Sequence, residues 1–230
     1  VLITDKKVIK GIFVKRISRF SALVKIKRET EYVYLPNPGR LRELLVPGAR
    51  VVHSLHGKAN RKTCYDLIMA YSDSTLVCID SRIPNKLIGE ALYRKEIAEI
   101  TGYSVIKSEV MFGKSRLDFL LLGAQKKTFI EVKSVTLVKD EIAYFPDAIT
   151  TRGTRHVKEL IRAKHEGFEA IILFVIQRPD ASAFSPQALT DPAFASSLKR
   201  AHAEGVAILP YVSTVTLQAI RLFKKIPFPL

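Results

Sequence analysis

The stretch Ser115–Val135, SRLDFLLLGAQKKTFIEVKSV, holds the residues best suited to chemistry. It reads as two apolar strands around a polar turn at Gly123–Lys127, with Asp118 in the first strand and Glu131 and Lys133 in the second. Successive side chains on a strand alternate faces, so Glu131 and Lys133 project to one side and Val132 to the other. A two-residue loop at Ala124-Gln125 sets a register that places Asp118 opposite Glu131, with Cβ atoms about 4.5–5.5 Å apart. Two carboxylates that close in an apolar sheet repel each other and resist desolvation. A divalent cation relieves both costs. Mg2+, or Mn2+ in its place, takes hard oxygen ligands and often uses only one or two carboxylates. Lys133 can orient or deprotonate an attacking water and stabilise charge on a phosphate, while the cation polarises the phosphoryl oxygen. Asp118, Glu131 and Lys133 are therefore the expected catalytic residues of a phosphodiester hydrolase, and Asp118, Glu131 and Glu109 its expected metal ligands. Glu90, inside the expected helix 85–100, reads more simply as a solvated residue.

A bland reading competes with this one. Lys133 can neutralise Glu131 as a structural ion pair, with Arg116 near Asp118, and a bare D…E-x-K pattern arises by chance. Three features favour chemistry: apolar neighbours flank each acid, the two strands are adjacent, and the chain is basic. Its 230 residues carry 37 Lys and Arg against 22 Asp and Glu, a formal net charge of +15. Such an excess draws polyanions, because each neutralised phosphate releases condensed counterions. The basic residues spread through 6–28, 40–62, 107–116 and 152–164, which describes a folded basic surface and not a tail.

Two segments are candidates for contact with DNA, single- or double-stranded. In Pro36-Asn37-Pro38-Gly39-Arg40, the residues Asn37, Gly39 and Arg40, with Arg42 beyond, form a polar loop whose glycine lets a backbone N–H approach a phosphate. The same composition also describes a plain turn. Thr150–His156 opens an expected helix 151–166, where free N–H groups and Arg152, Arg155, His156 and Lys158 suit an anion. The alternative is an ordinary N-cap before a solvated face. Asp147 is placed to tether that loop, and Tyr144 and Phe145 can stack on bases or fill a core. No Walker-type loop, no GxGxxG and no local Ser or Cys nucleophile signature is found, which disfavours ATP-driven and acyl-transfer chemistry.

The elements that must position these residues fall into two groups. Residues 1–82 read as about five short strands (8–17, 20–28, 31–35, 49–56, 63–71, 75–80), a turn near Arg28–Thr30 and a short helix at 41–45, together a small β-barrel of the OB type. Residues 83–230 alternate helices (85–100, 151–166, 186–204) with strands (103–110, 115–122, 128–135, 169–176, 206–212), an α/β (α+β) mixed sheet covered on both faces. Asn85 is the expected cap of the first helix. Cys64 and Cys78 are too few for a disulfide framework and lack a Cys/His cluster for zinc. No apolar run reaches the ~18 residues of a membrane span, and no leader segment is recognised, so a cytoplasmic protein without a membrane partner is expected. Oligomeric state is open, a dimer included.

Several blocks resemble the sugar fermentation stimulation protein A family. These are KSEV…SRLDFLL…FIEVKSV (Lys107–Val135), AYFPDAITTRGTRHVKEL (Ala143–Leu160), LPNPGRLRELLVPG (Leu35–Gly48), FSP (Phe184–Pro186) and EGVAILPY (Glu204–Tyr211). The resemblance covers nearly the whole chain. It implies an OB-like N-terminal domain followed by a domain similar to the PD-(D/E)xK nucleases, a role in DNA binding and a link to sugar-metabolism regulation. The nuclease pattern falls on Asp118, Glu131 and Lys133, with Glu109 as accessory acid. Leu117 stands where that motif has proline.

Overall fold

The computed structural model describes residues 8–55 and 63–229. The first strands are β1 (Val8–Ser18), β2 (Ser21–Ile26), β3 (Glu29–Tyr34), β4 (Arg50–Leu55), β5 (Tyr65–Ser72) and β6 (Thr75–Cys78). They join in the order β3-β2-β1-β4-β5-β6, and a parallel pair between Tyr34 and Asp66 links β3 to β5. That closure makes an OB-like barrel. Strand alternation sends Phe13, Val24, Val33, Val51, Leu67 and Val77 into one core. Two local expectations change. The β2–β3 turn is Lys27-Arg28, since Ile26 pairs with Glu29 and Lys27 takes φ 56°. Residues 41–45 form turns and no helix, because Leu41 sits at φ 51° and the segment is confined between Gly39 and Pro47. Part of the basic segment 40–62, and residue 56 of the strand expected over 49–56, lie outside the described residues.

The second half runs α1 (Ile83–Tyr93), β7 (Tyr103–Phe112), β8 (Ser115–Gly123), β9 (Lys127–Val135), β10 (Leu137–Lys139), β11 (Ile142–Phe145), α2 (Thr151–His165), β12 (Glu169–Ile176), β13 (Ala183–Pro186), α3 (Pro192–Ala203), β14 (Ala207–Val215) and β15 (Ile220–Lys225). Its main sheet has the order β15-β14-β12-β9-β8-β7. The central β9, β12 and β14 are parallel, and the flanking strands are antiparallel. Strand β12, EAIILFVI, is buried along both faces, as a near-continuous apolar run requires. Helices α2 and α3 cover one face, with Val157, Leu160, Ile161 and Leu198 against Phe129, Ile172 and Phe174. Helix α1 covers the other, with Leu87, Ile88 and Leu92 against Phe119, Ile130 and Leu173. Strands β10, β11 and β13 form a small separate sheet.

Prolines and caps account for the shifted helix ends. Helix α1 starts at Ile83 with Pro84 in its first turn and ends by Arg94, before Lys95 at φ 57°, so it is shorter than the expected 85–100. Helix α3 starts at Pro192 after the Asp191 cap, which accepts the Phe194 N–H at 2.9 Å; the Pro186 end of the expected 186–204 helix is strand β13 instead. No helix among the described residues is long and apolar enough to cross a membrane.

The two halves are clamped together through the loop Asn37–Leu41. Asp147 Oδ2, from the mixed-sheet half, accepts the N–H groups of Arg40 and Leu41 at 2.7 and 3.2 Å. On the barrel side the Arg16 guanidinium donates to the carbonyls of Asn37, Gly39 and Arg40 at 3.0, 2.5 and 3.0 Å. Glycine lets the loop pack this closely: a Cβ at position 39 would stand 2.7 Å from Asp147 Oδ2 and 2.9 Å from Asn37 Oδ1, and those side chains would have to shift. At the junction itself Arg82 bridges buried Asp66 and Asp80, at 3.0 and 2.6 Å.

Candidate functional site

Strands β8 and β9 pair in the expected register, Phe119 with Ile130 through Leu122 with Lys127. The described ladder stops there, one step short of Asp118 and Glu131. In its place Asp118 Oδ2 accepts the Val132 N–H at 2.7 Å, so the carboxylate fills the gap between the strands. Asp118 Oδ1 accepts from Asn85 Nδ2 at 2.6 Å, and Asn85 sits in the first turn of α1. The expected helix cap is thus a contact of the acid.

Glu131 is 3% exposed, and its two oxygens have different fates. Oε1 accepts from Lys133 Nζ at 2.6 Å and meets His156 Nδ1 at 2.5 Å. Oε2 is buried with no hydrogen-bond partner among the described residues. His156, on the inner face of α2, accepts from Arg152 Nε at 3.3 Å through Nε2, which leaves Nδ1 to donate to Glu131.

The two acids respond oppositely to burial. Burial pushes Asp118 up to about 6, and the Glu131 charge adds to the push; the Val132 amide, Lys133 and Asn85 pull the other way. Burial raises Glu131 as well, but Lys133 and the His156 hydrogen bond overcome it and hold that carboxyl below its usual range. One site therefore holds an acid that stays charged and an acid that exchanges a proton near neutral pH.

The remaining expected residues divide. Arg40, Arg42, Arg152, Arg155 and Lys158 are exposed. Asn37 and His156, expected to meet phosphate, are 6% and 2% exposed and turned inward. Asn37 donates to the Ile79 carbonyl and accepts the Gly39 N–H, which shapes the loop. Glu109 does not complete a metal set: its backbone is left-handed, at φ 53°, and its 65% exposed side chain lies 3.4 Å from Arg116. Among the described residues no three His, Cys, Asp or Glu side chains gather into a metal-holding group. Asp147 tethers the barrel loop, and the start of α2 is tethered by Asp191, which accepts the Thr150 N–H at 2.8 Å. Thr150 in turn caps α2 by accepting from Gly153 at 3.0 Å.

Between the halves lies a cleft of 240 Å³. The end of β9 from Lys133 to Val135, with Thr136 just beyond it, forms its floor. Asn37, Pro38, Gly39 and Leu41 line it from the barrel and Tyr144–Thr150 from the mixed-sheet half. Lys133 lines it; Asp118 and Glu131 lie behind that residue.

Residues 14–79 match the family described as the N-terminal OB domain of SfsA, and residues 82–219 match the sugar fermentation stimulation protein RE domain. The chain belongs to the sugar fermentation stimulation protein family. A family homolog from Caldanaerobacter subterraneus is 40% identical over 225 residues, covering 98% of each chain. One from Clostridium botulinum, strain Langeland, is 44% identical over 218 residues, covering 94% of this chain and 95% of that one. The solved structure of Pyrococcus furiosus SfsA in complex with Ca2+ matches with a TM-score of 0.91 at 32% identity, covering 100% of this chain and 98% of the other.

Within this family member, the residues that strand periodicity could not reveal are those that meet the acids from helices. Asn85 approaches Asp118 from α1, and His156 approaches Glu131 from α2. No short-range pattern pairs position 85 with 118 or 156 with 131. Arg16 is a similar case, a barrel arginine whose donors all serve main-chain carbonyls. The donor set suits a hard divalent cation in one specific respect: Glu131 presents a buried carboxylate oxygen that has no hydrogen-bond partner among the described residues.

Proposed function

We propose that this protein binds DNA across its basic surface and hydrolyses phosphodiester bonds with a Mg2+ or Mn2+ ion held by Glu131 and Asp118. The observation that carries the reading is Glu131, an acid kept charged in a buried strand with one oxygen left free. A buried charged oxygen without a donor is costly, and a hard cation is one partner that would offset that cost. The relative described in complex with Ca2+ supports a hard cation in this family. When bound, the cation supplies charge neutralisation and Lewis-acid polarisation of a phosphoryl oxygen.

The chain's own groups supply the rest. Lys133, fixed by Glu131 at 2.6 Å, presents its ammonium at the cleft floor, where it meets a phosphate oxygen. Asp118, which would share the cation with Glu131, is set in place by the Val132 amide and by Asn85. His156 positions Glu131 from behind. Exposed Arg40, Arg42, Arg152, Arg155 and Lys158 hold the backbone. A cytoplasmic site of action goes with this reading, as do Cys64 and Cys78 remaining free thiols.

Purified protein with Mg2+ or Mn2+ is expected to cut single-stranded, duplex or branched DNA. Glu131→Gln and Asp118→Asn should each lose at least about 100-fold of that rate while retaining salt-sensitive binding. Absence of cleavage on every substrate sinks the catalytic half. A second reading, a binding-only regulator linked to sugar metabolism, draws on the Lys133–Glu131–His156 set, which neutralises the buried charge without a cation. Calorimetry separates the two: a binding-only scaffold takes up no Mg2+ and binds DNA equally with and without it.

A further inference from the structure

The cleft between the halves has a size and lining that go beyond general DNA binding. We infer that it seats one unpaired nucleobase, stacked on Tyr144, so that the protein acts on single-stranded or frayed nucleic acid and not on intact duplex. This rests on the reading of Lys133 as part of a phosphodiesterase site.

Three observations converge. The first is volume. A space of 240 Å³ lies at the small end of small-molecule sites, on the scale of one planar group and far too little for a duplex. The second is the division of labour between two adjacent aromatic residues. Phe145 is committed to the core, with ring centroids 5.6 Å from Phe174 and 5.1 Å from Phe194. Both residues line the cleft and both are half-buried, but Tyr144, one position earlier on β11, projects to the other face of the strand, away from that core contact. An aromatic wall beside a cationic floor is what stacking on a single strand uses. The third is Ile149, 72% exposed on the rim of the same cleft. Its loop is not slack: Asp147 is tied to the barrel loop and Thr150 to Asp191. An exposed apolar side chain at the edge of this cleft, on a loop anchored on both sides of it, is placed to wedge between bases and part them. Of the charged residues in the lining, Arg19 and Lys133 are cationic and Asp147 is the acid, its Oδ2 already holding two main-chain N–H groups.

The test uses the full-length protein and an oligodeoxynucleotide carrying one 2-aminopurine, single-stranded or annealed to its complement, with Ca2+ or no metal so that nothing is cut. Stacking on Tyr144 should quench the probe in the single strand and leave it unchanged in the duplex. Tyr144→Ala should lose the quench and about 10-fold of single-strand affinity, and Tyr144→Phe should restore both. Ala148→Phe, which fills the cleft without removing a ring, should abolish the quench as well. Equal affinity for single strand and duplex, or an unchanged quench in Tyr144→Ala and Ala148→Phe, overturns this inference and leaves the nuclease reading standing. Failure to bind DNA in any form overturns the parent reading and this one with it.

Discussion

Each half of the molecule buries titratable groups, and the two halves treat them differently. In the barrel His53 is 0% exposed, and neither ring nitrogen has a hydrogen-bond partner among the described residues. Burial alone drives it down to about 4, so it stays neutral. In the mixed-sheet half Glu131 is nearly as buried, yet Lys133 and His156 keep it charged. Beside it Asp118 is pushed up to about 6. A buried group without partners behaves as filling; one with partners on β9 and α2 holds a charge that chemistry can use. Burial is common to both and therefore does not mark a site.

The largest effect that could break this contrast concerns His53. Its pKa is depressed, so the unfolded chain takes a proton first as pH falls. Stability is intact above pH 6.5 and is lost progressively down to about 4. Relative to His53→Leu, the wild type should lose about 3 kcal/mol over that window, read from urea unfolding at each pH. Parallel pH profiles for the two proteins would show that His53 finds a partner after all.

Asp118 sharpens the contrast with the opposite sign. Its raised pKa favours the protonated folded state below 3.8, and that advantage disappears as pH rises through about 6. Asp118→Asn imitates the protonated form. It should therefore be more stable than wild type by about 2 kcal/mol at pH 7, less than the full shift because the amide accepts only one of the two hydrogen bonds. The gain should vanish near pH 4. An ordinary structural ion pair predicts a loss at pH 7 instead.

Gly39→Ala is the smallest and most local change. Its Cβ crowds Asp147 and Asn37, and the expected cost is about 1 kcal/mol. Calorimetric scanning should show a single transition in wild type beginning to separate into two in the variant.

Much of the positioning was legible in the sequence because it rests on period and turn chemistry. The β8–β9 register follows from alternation and a two-residue loop, and β12 announces itself as an apolar run. The small sheet of β10, β11 and β13 was not legible, since strands of three or four residues carry too little period to read. Edge strand β15, with its exposed Phe223 and basic residues, was missed for lack of a buried stripe. At the site, spacing placed Glu131 and Lys133 on one side, but the ladder's end at Asp118 depends on α1 delivering Asn85. Asn37 and His156 carry the composition of anion ligands and are drawn inward by the contacts described above, which only the assembled fold supplies.

The shared loop at Asn37–Leu41 limits how this architecture can be shuffled. Two of its amides are held by Asp147 and three of its carbonyls by Arg16, so its shape depends on both halves. Cutting the chain at the connection after β6 would strip a carboxylate of its donors on one fragment and an arginine-strapped turn of its anchor on the other. A barrel swapped in from another protein would have to bring both the turn and its arginine. The pair is the unit that can be exchanged, and the junction, not either core, sets that rule.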